Sequence, residues 1–404
     1  MTDTYSFEVE GWVIGKSAGV ERIEVLQEGR IIVDAAPTLE RPGVASRFPD
    51  VAGAGLSGFR LPISALSLRE DFELVVRVTL EGGLHLRIGV IKGRREKIQS
   101  NYEPVIQPVM VTTIGRSGSS WLTWLLSCHP QIVAFKPFEH ETRVASYWMS
   151  VLQAIANPRS YITQFDPPDL TARNWWLGEA GMTSGVLRDG TLAAWLGRDN
   201  VQALAAIAQS RIDAFYQANT AASGKPRYFV EKFSPGEVFS DLLTELYSDA
   251  KELILVRDFR DMFCSISAFT AKRNASRFDR HRARGDTEYV GTYVRGFARV
   301  LLRRWRGRRE MAHLVRYEDL VLRPEETLGE ILGYLGVDSS QQVLEQVLKR
   351  AQNVSGAGRH QTATSARASV GRWRRELSHE LKLVCEETLE PMLAEFGYEP
   401  TIEH

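Results

Sequence analysis

The sequence has little cysteine, no net charge and no long apolar run. Cys128, Cys264 and Cys385 stand far apart in 404 residues and form no CxxC pair, which argues against a disulfide framework and a zinc site. The 50 basic and 50 acidic side chains balance, so no overall charge draws the protein to nucleic acid or a membrane. No apolar run reaches the roughly 18 residues of a membrane span, and residues 1–6 do not resemble a signal peptide. We therefore expect a cytoplasmic protein with no transmembrane segment and no nucleic-acid partner.

Residues 1–95 differ in kind from the rest of the chain. Short segments rich in β-branched residues alternate with glycine-containing turns at 27–29 and 81–83. The pattern predicts a small antiparallel β-sandwich, and the polar stretch 96–104 reads as a linker. The sandwich either orients a glycan or a partner protein or is a structural cap, because a fold alone assigns no function.

The segment Arg116-Ser117-Gly118-Ser119-Ser120 follows the apolar run 109–114 and precedes a helix-like stretch at 121–128. A strand, a tight turn and a helix N-terminus form an anion site, because the first helical N–H groups are free. A triphosphate-binding loop would need a lysine after its last glycine, and Ser119 stands there instead. Because an arginine fork pairs with tetrahedral oxyanions, the two serines and Arg116 can still hold a 5'-phosphate and a neighbouring sulfuryl group without a metal. An ordinary Gly/Ser turn is the alternative.

A second strand-to-helix junction follows later in the chain. The apolar run 252–256 leads into Arg257-Asp258-Phe259-Arg260-Asp261. Ligands of a doubly wound sheet bind outside the carboxyl ends of its strands, so both junctions can face one crevice. One ligand with two separated anionic groups would fit.

These segments resemble the sulfotransferases that use 3'-phosphoadenosine-5'-phosphosulfate (PAPS). Residues 113–122 are similar to the family's 5'-phosphosulfate loop, in the arginine form typical of carbohydrate and tyrosyl-protein sulfotransferases. Residues 255–261, with Ser265 eight positions after Arg257, resemble the 3'-phosphate segment, although Phe259 replaces the usual proline. Further resemblances follow in order at 230–235, 316–320 and 371–374, so the likeness covers about residues 105–398.

The resemblance implies a fold, a reaction and a set of site residues. Residues 105–404 should form a three-layer α/β/α domain with a parallel sheet, which transfers a sulfuryl group from PAPS to an acceptor hydroxyl and leaves adenosine 3',5'-bisphosphate. The implied donor-binding residues are Arg116, Ser117, Gly118, Ser119, Ser120, Trp121, Arg257, Ser265, Arg367, Arg372 and Trp373. The implied catalytic residues are Arg116, Lys232 and a base, for which Glu141 ranks before Glu139 and His140.

The acceptor is less defined than the donor. A helical insertion at 145–222 is the segment expected to shape its site. The segment from Lys272 to Arg309 contains 13 basic residues and three acidic ones. This basic tract either attracts an anionic glycan or the donor, or it forms a solvated helix face. Two rival functions stay open: a P-loop kinase-like phosphotransferase and a catalytically silent nucleotide-binding module.

Overall fold

The structure is a computed structural model that describes residues 5–137, 140–156, 194–220, 225–236, 239–273, 278–352 and 362–401. The chain forms two compact units. The first combines Met1–Glu103 with Tyr147–Arg211, and the second combines Pro104–Ser146 with Ile212–His404. Part of the predicted helical insertion therefore clusters with the N-terminal strands, and residues 157–193 of it lie outside the described residues. The predicted domain boundaries stay a prediction.

The first unit contains two antiparallel sheets. One pairs strands β1 and β4, and the other has the strand order β3-β2-β5-β6. The turn between β2 and β3 has positive φ at both Glu28 and Gly29, as a tight hairpin of matching twist requires. The elements are β1 Ser6–Trp12, β2 Val20–Gln27, β3 Arg30–Ala35, helix α1 Pro42–Arg47, β4 Gly58–Ser64, β5 Asp71–Leu80 and β6 His85–Arg94.

Alternating side chains of both sheets meet in one apolar core. Ile23 and Val25 of β2 and Leu74 of β5 are completely buried there, together with Leu61 of β4. The alternation follows from the two-residue period of a strand, which sends every second side chain to the core. The antiparallel β-structure predicted for residues 1–95 is confirmed.

The second unit is built on a five-stranded parallel sheet with the order β11-β10-β7-β9-β8. The middle strands are almost continuously buried, as expected when helices cover both faces. The strands are β7 Gln107–Thr113, β8 Ile132–Ala134, β9 Tyr228–Phe233, β10 Lys251–Val256 and β11 His313–Arg316.

Helices cover the two faces of this sheet with separate apolar clusters. Leu253 and Leu255 of β10 pack with helices α2, α9, α10 and α11, whereas Ile254 and Val256 face helices α6, α8 and α13. The three-layer α/β/α arrangement predicted from the sequence is confirmed. The described helices after α1 are α2 Ser119–Ser127, α3 Val144–Ile155, α4 Asn200–Ala218, α5 Phe239–Leu246, α6 Phe259–Arg273, α7 Asp286–Glu288, α8 Arg295–Arg308, α9 Tyr317–Leu322, α10 Pro324–Leu335, α11 Gln341–Ala351, α12 Trp373–Glu376 and α13 His379–Glu395.

A search of the described helices for a stretch long and apolar enough to cross a membrane finds none. The three cysteines are buried free thiols. Burial raises the pKa of Cys264 and of Cys385 to about 12.

Candidate active site

The loop that follows β7 has a backbone that requires glycine. Helix α2 starts at Ser119, and Gly118 before it lies in the left-handed region with φ of 89°. A side chain on Gly118 would come within 2.5 Å of the Tyr317 ring. Arg116 is also left-handed, with φ of 69°. Strained backbone of this kind persists where the surrounding structure holds it. Here the strained segment leads directly into α2, whose first N–H groups are free.

Lys232 links this loop to the proposed base. Lys232 lies on β9 opposite Val111 of β7, and its side chain is only 7% exposed. Its Nζ donates a hydrogen bond to Oγ of Ser120 at 2.9 Å and lies 4.0 Å from Oε2 of Glu141. The Glu141 side chain is 43% exposed and also lies 3.7 Å from Nη2 of Arg143. A cation, a hydroxyl and an accessible carboxylate thus meet at the start of α2.

The other two candidate bases are placed differently. His140 is buried, its ring stacks on Trp124, and its Nδ1 is 2.9 Å from the Phe135 carbonyl oxygen. Burial lowers the pKa of His140 and favours its neutral form. Glu139 lies outside the described residues.

Glu231 is a site residue that the sequence analysis missed. Its carboxylate is fully buried and accepts hydrogen bonds from the backbone N–H groups of Val144 and Ala145, both at the start of α3. A carboxylate at a helix N-terminus is stabilised by the free donors and the helix dipole. This contact fixes the chain directly after Glu141 and Arg143. The signal in the sequence was a lone acid inside the apolar strand 228–233.

Arg257 occupies the second strand-to-helix junction. Its guanidinium lies over the Tyr317 ring, with Cζ 4.6 Å from the ring centroid. Nη1 donates to the Arg116 carbonyl at 3.1 Å and Nη2 to the Ser369 carbonyl at 2.8 Å. Its buried Nε has no hydrogen-bond partner among the described residues, and the same holds for the Ser117 hydroxyl. Two buried polar atoms at the two junctions therefore have spare bonding capacity.

Arg116 and Ser265 connect the two junctions. The Arg116 guanidinium lies 4.5 Å from the Phe269 ring centroid, and its Nε donates to the Ser265 hydroxyl at 3.3 Å. Ser265 also contacts the Thr362 hydroxyl at 3.1 Å, and Arg372 donates to Thr362 at 3.2 Å. Thr362 was not among the predicted residues. The structure brings Arg116, Ser265 and Arg372 together around it.

The segment around residue 371 is held by a buried carboxylate. Asp261 accepts hydrogen bonds from the backbone N–H groups of Gly371 at 2.6 Å and Trp373 at 2.9 Å. Burial, followed by the charge of Asp258, raises the pKa of Asp261 to about 6. Trp373 itself is buried, with the Arg260 guanidinium 3.9 Å from its ring centroid.

The remaining predicted residues divide between core and surface. Trp121 packs edge-on against Tyr317 with ring centroids 6.4 Å apart. Arg367 is exposed in a single 3-10 turn, and Ser119 is the first residue of α2. Across the described parts of the chain, no group of three or more His, Cys, Asp or Glu side chains is arranged to hold a metal.

Known proteins similar to this chain are sulfotransferases. The model of the sulfotransferase family matches residues 108–341, which is more than half of the chain. Human carbohydrate sulfotransferase 1 is 30% identical over 87 residues, so the match covers only 21% of this chain and 21% of that protein.

Solved structures that resemble the chain include two sulfotransferase domains. The domain from the curacin biosynthetic pathway is 15% identical with a TM-score of 0.43, and the match covers 74% of this chain and 99% of that one. The domain from the Synechococcus PCC 7002 olefin synthase is 18% identical with a TM-score of 0.43, covering 76% and 99%.

Proposed function

Because the chain belongs to the sulfotransferase family, we propose that it transfers a sulfuryl group from PAPS to an acceptor hydroxyl and releases adenosine 3',5'-bisphosphate. The observation that carries the proposal is the meeting of Lys232, Ser120 and Glu141 at the helix N-terminus, at 2.9 and 4.0 Å from the lysine nitrogen.

The residues at the two junctions suit a donor with two anionic ends. Residues 117–120 would hold the phosphosulfate end, with the Ser117 hydroxyl and the free N–H groups of α2 as donors. Arg257 and Ser265 would hold the 3'-phosphate, for which the unpartnered Nε of Arg257 is a ready donor. Arg372, joined to Ser265 through Thr362, would add a second positive charge.

The chemistry divides between the bound donor and the side chains of the protein. PAPS supplies, when bound, an activated sulfuryl group and a phosphate that can leave. Glu141 would accept the proton of the acceptor hydroxyl, because it is the accessible carboxylate among the described residues near Lys232. Lys232 and the Ser120 hydroxyl would stabilise negative charge that develops at the start of α2. We assign the sulfuryl side to Lys232 rather than to Arg116, because the Arg116 guanidinium is beside Ser265.

We propose a sugar hydroxyl as the acceptor and the cytoplasm as the place of action. The 30% identity with human carbohydrate sulfotransferase 1 supports the first, although it concerns 87 residues only. The second is consistent with three buried free thiols, since disulfides are uncommon in the cytosol.

A nucleotide comparison tests the donor. We expect adenosine 3',5'-bisphosphate without added metal to raise the melting temperature more than ATP with magnesium does. The opposite order would indicate a kinase-like phosphotransferase and contradict the proposal. Transfer of labelled sulfate from PAPS to a panel of glycans, phenols and lipids then tests the reaction. Nucleotide binding without transfer to any member of the panel would favour a silent nucleotide-binding module.

A further inference from the structure

The first unit contains a cleft whose lining includes none of the residues assigned to sulfuryl transfer. Its volume is about 620 Å³, within the roughly 300–1,000 Å³ range of small-molecule sites. Residues 13–20, which follow β1, and part of the segment 50–57, which precedes β4, form most of the lining, and Pro37 and Glu81 complete it. All of these residues belong to the first unit.

The lining provides polar groups that are available to a ligand. Lys16 and Asp50 are exposed and form no hydrogen bond or ion pair with any described residue. Glu81 is held in place, because its Oε2 accepts a hydrogen bond from the Gly19 N–H at 3.3 Å. A Cβ on Gly19 would approach the Glu81 carboxylate to 2.7 Å, so glycine leaves room for this acid.

A buried hydroxyl adds independent support. Ser57 lines the cleft and is only 1% exposed, yet its Oγ has no hydrogen-bond partner within the described chain. An unsatisfied buried hydroxyl costs free energy, and a ligand that bonds to it would remove this cost.

Each of the two lining segments is preceded by an aromatic residue. Trp12 is the last residue of β1, immediately before residue 13, and Phe48 lies two positions before Asp50. Their ring centroids are 6.0 Å apart, and Trp12 is 47% exposed. Leu56, in the lining, is 55% exposed. The Trp12–Phe48 pair therefore adjoins both lining segments in sequence, and Leu56 adds an exposed apolar side chain within the lining.

We propose that this cleft binds a neutral saccharide. Sugar hydroxyls can donate to the carboxylates of Asp50 and Glu81 and accept from Lys16, and the apolar face of a sugar ring can pack on Trp12. The lining carries two carboxylates and one ammonium group, and this excess of negative charge disfavours phosphate and sulfated chains. That this saccharide is the acceptor chain before sulfation rests on the proposed function, whereas the binding of a neutral saccharide to the cleft does not.

Binding of an array of neutral and sulfated oligosaccharides to the full-length protein, followed by titration calorimetry with a neutral hit, tests the site. We expect neutral oligosaccharides to bind and Trp12→Ala to weaken them about tenfold. Ser57→Ala should weaken them about threefold to tenfold without lowering the melting temperature, because the hydroxyl has no partner to lose. Trp195→Ala is the matched control, since Trp195 is 48% exposed in the same unit but, unlike Trp12, has no sequence neighbour in the lining.

Three results would overturn the inference: no neutral oligosaccharide binds, only sulfated ones bind, or Trp12→Ala binds like the wild type. Glu141→Gln separates this site from the transferase site. It should bind neutral oligosaccharides normally while losing sulfate transfer, and loss of saccharide binding in that variant would contradict a separate cleft. Sulfate transfer to a phenol with no saccharide binding would leave sulfuryl transfer from PAPS standing but would refute both the saccharide cleft and the sugar acceptor.

Discussion

Lys232 and Ser120 are joined by a hydrogen bond of 2.9 Å between the lysine Nζ and the serine Oγ. The lysine belongs to β9 and the serine to the first turn of α2, so the bond fixes a nearly buried cation at a helix N-terminus. Because the same Nζ is 4.0 Å from Glu141, the positive charge lies between the loop that would hold the donor and the carboxylate that would accept a proton.

Replacing this lysine should slow the reaction more than it weakens nucleotide binding. We expect Lys232→Met to lower kcat about 100-fold, since a charge aimed at the developing anion is typically worth roughly 3 kcal/mol. The affinity for adenosine 3',5'-bisphosphate should change less than about tenfold. Lys225→Met is the control, because Lys225 is exposed just ahead of the same strand. A wild-type kcat for Lys232→Met would remove the lysine from the mechanism.

Arg257 should determine how the protein recognises a 3'-phosphate. Arg257→Lys keeps the charge but loses the planar fork that now bonds two carbonyl groups and leaves Nε available. We expect adenosine 3',5'-bisphosphate to bind about 10- to 100-fold more weakly, while adenosine 5'-phosphate is little affected. Calorimetry with both nucleotides measures this ratio, and Arg299→Lys, at an exposed position, serves as the control. An unchanged ratio would show that the 3'-phosphate is bound elsewhere.

A buried acid near this junction should make stability depend on pH. Glu318 accepts hydrogen bonds from the Asp258 N–H at 3.0 Å and the Tyr398 hydroxyl at 2.8 Å. Burial raises the pKa of Glu318 to about 7 from the usual 4.5. A raised carboxyl pKa contributes stability that is complete below about pH 4.5 and is lost as the pH rises through about 7.

Glu318→Gln removes this titration. The wild type should lose roughly 1–3 kcal/mol more unfolding free energy between pH 5 and pH 8 than the variant does. Urea denaturation at the two pH values measures the difference. Glu326→Gln, on the exposed side of α10, should behave like the wild type. Equal slopes for wild type and Glu318→Gln would mean that Glu318 ionises normally in the folded protein.

The basic tract from Lys272 to Arg309 includes a buried ion pair as well as surface charge. Arg304 is 5% exposed and donates to Asp241 at 2.6 Å and to Glu252 at 2.9 Å. Arg304→Met should cost about 3–5 kcal/mol, because it removes the two-pronged partner of the buried Glu252 carboxylate, which is left with Arg308 Nε at 3.1 Å. The exposed neighbour Arg303→Met should cost less than about 1 kcal/mol.

The double variant Arg304→Met/Glu252→Gln separates charge from packing. In denaturation experiments the double variant should lose less unfolding free energy than the two single variants together, since the buried Glu252 charge is removed with its partner Arg304. A loss in the double variant equal to the sum of the two single losses would show that the two residues do not interact.

The fold could be predicted because local patterns determine it. The apolar run 252–256 predicts a strand and the loop 116–120 predicts a helix start, and the structure has β10 and the start of α2 there. Contacts across long sequence separations could not be predicted in this way. Thr362 bonds to Ser265 across 97 positions, and no residue type near either one signals the other.

The predicted site shows the same division. Lys232 and Glu141 were found by resemblance, and the structure places them 4.0 Å apart. The burial of Arg304 within a tract of arginines could not be seen, because helix periodicity does not tell which arginine faces an acid on a strand. Glu231 was missed because its partners, the N–H groups of Val144 and Ala145, belong to a helix 86 or 87 positions away.

Sulfate transfer from labelled PAPS by the wild type and by Glu141→Gln tests the central claim most directly. We expect the wild type to label at least one hydroxylated acceptor and Glu141→Gln to lose at least about 100-fold in kcat. Its affinity for adenosine 3',5'-bisphosphate should be unchanged, because Glu141 contacts the lysine rather than the donor-binding arginines. Full activity of Glu141→Gln would contradict the account.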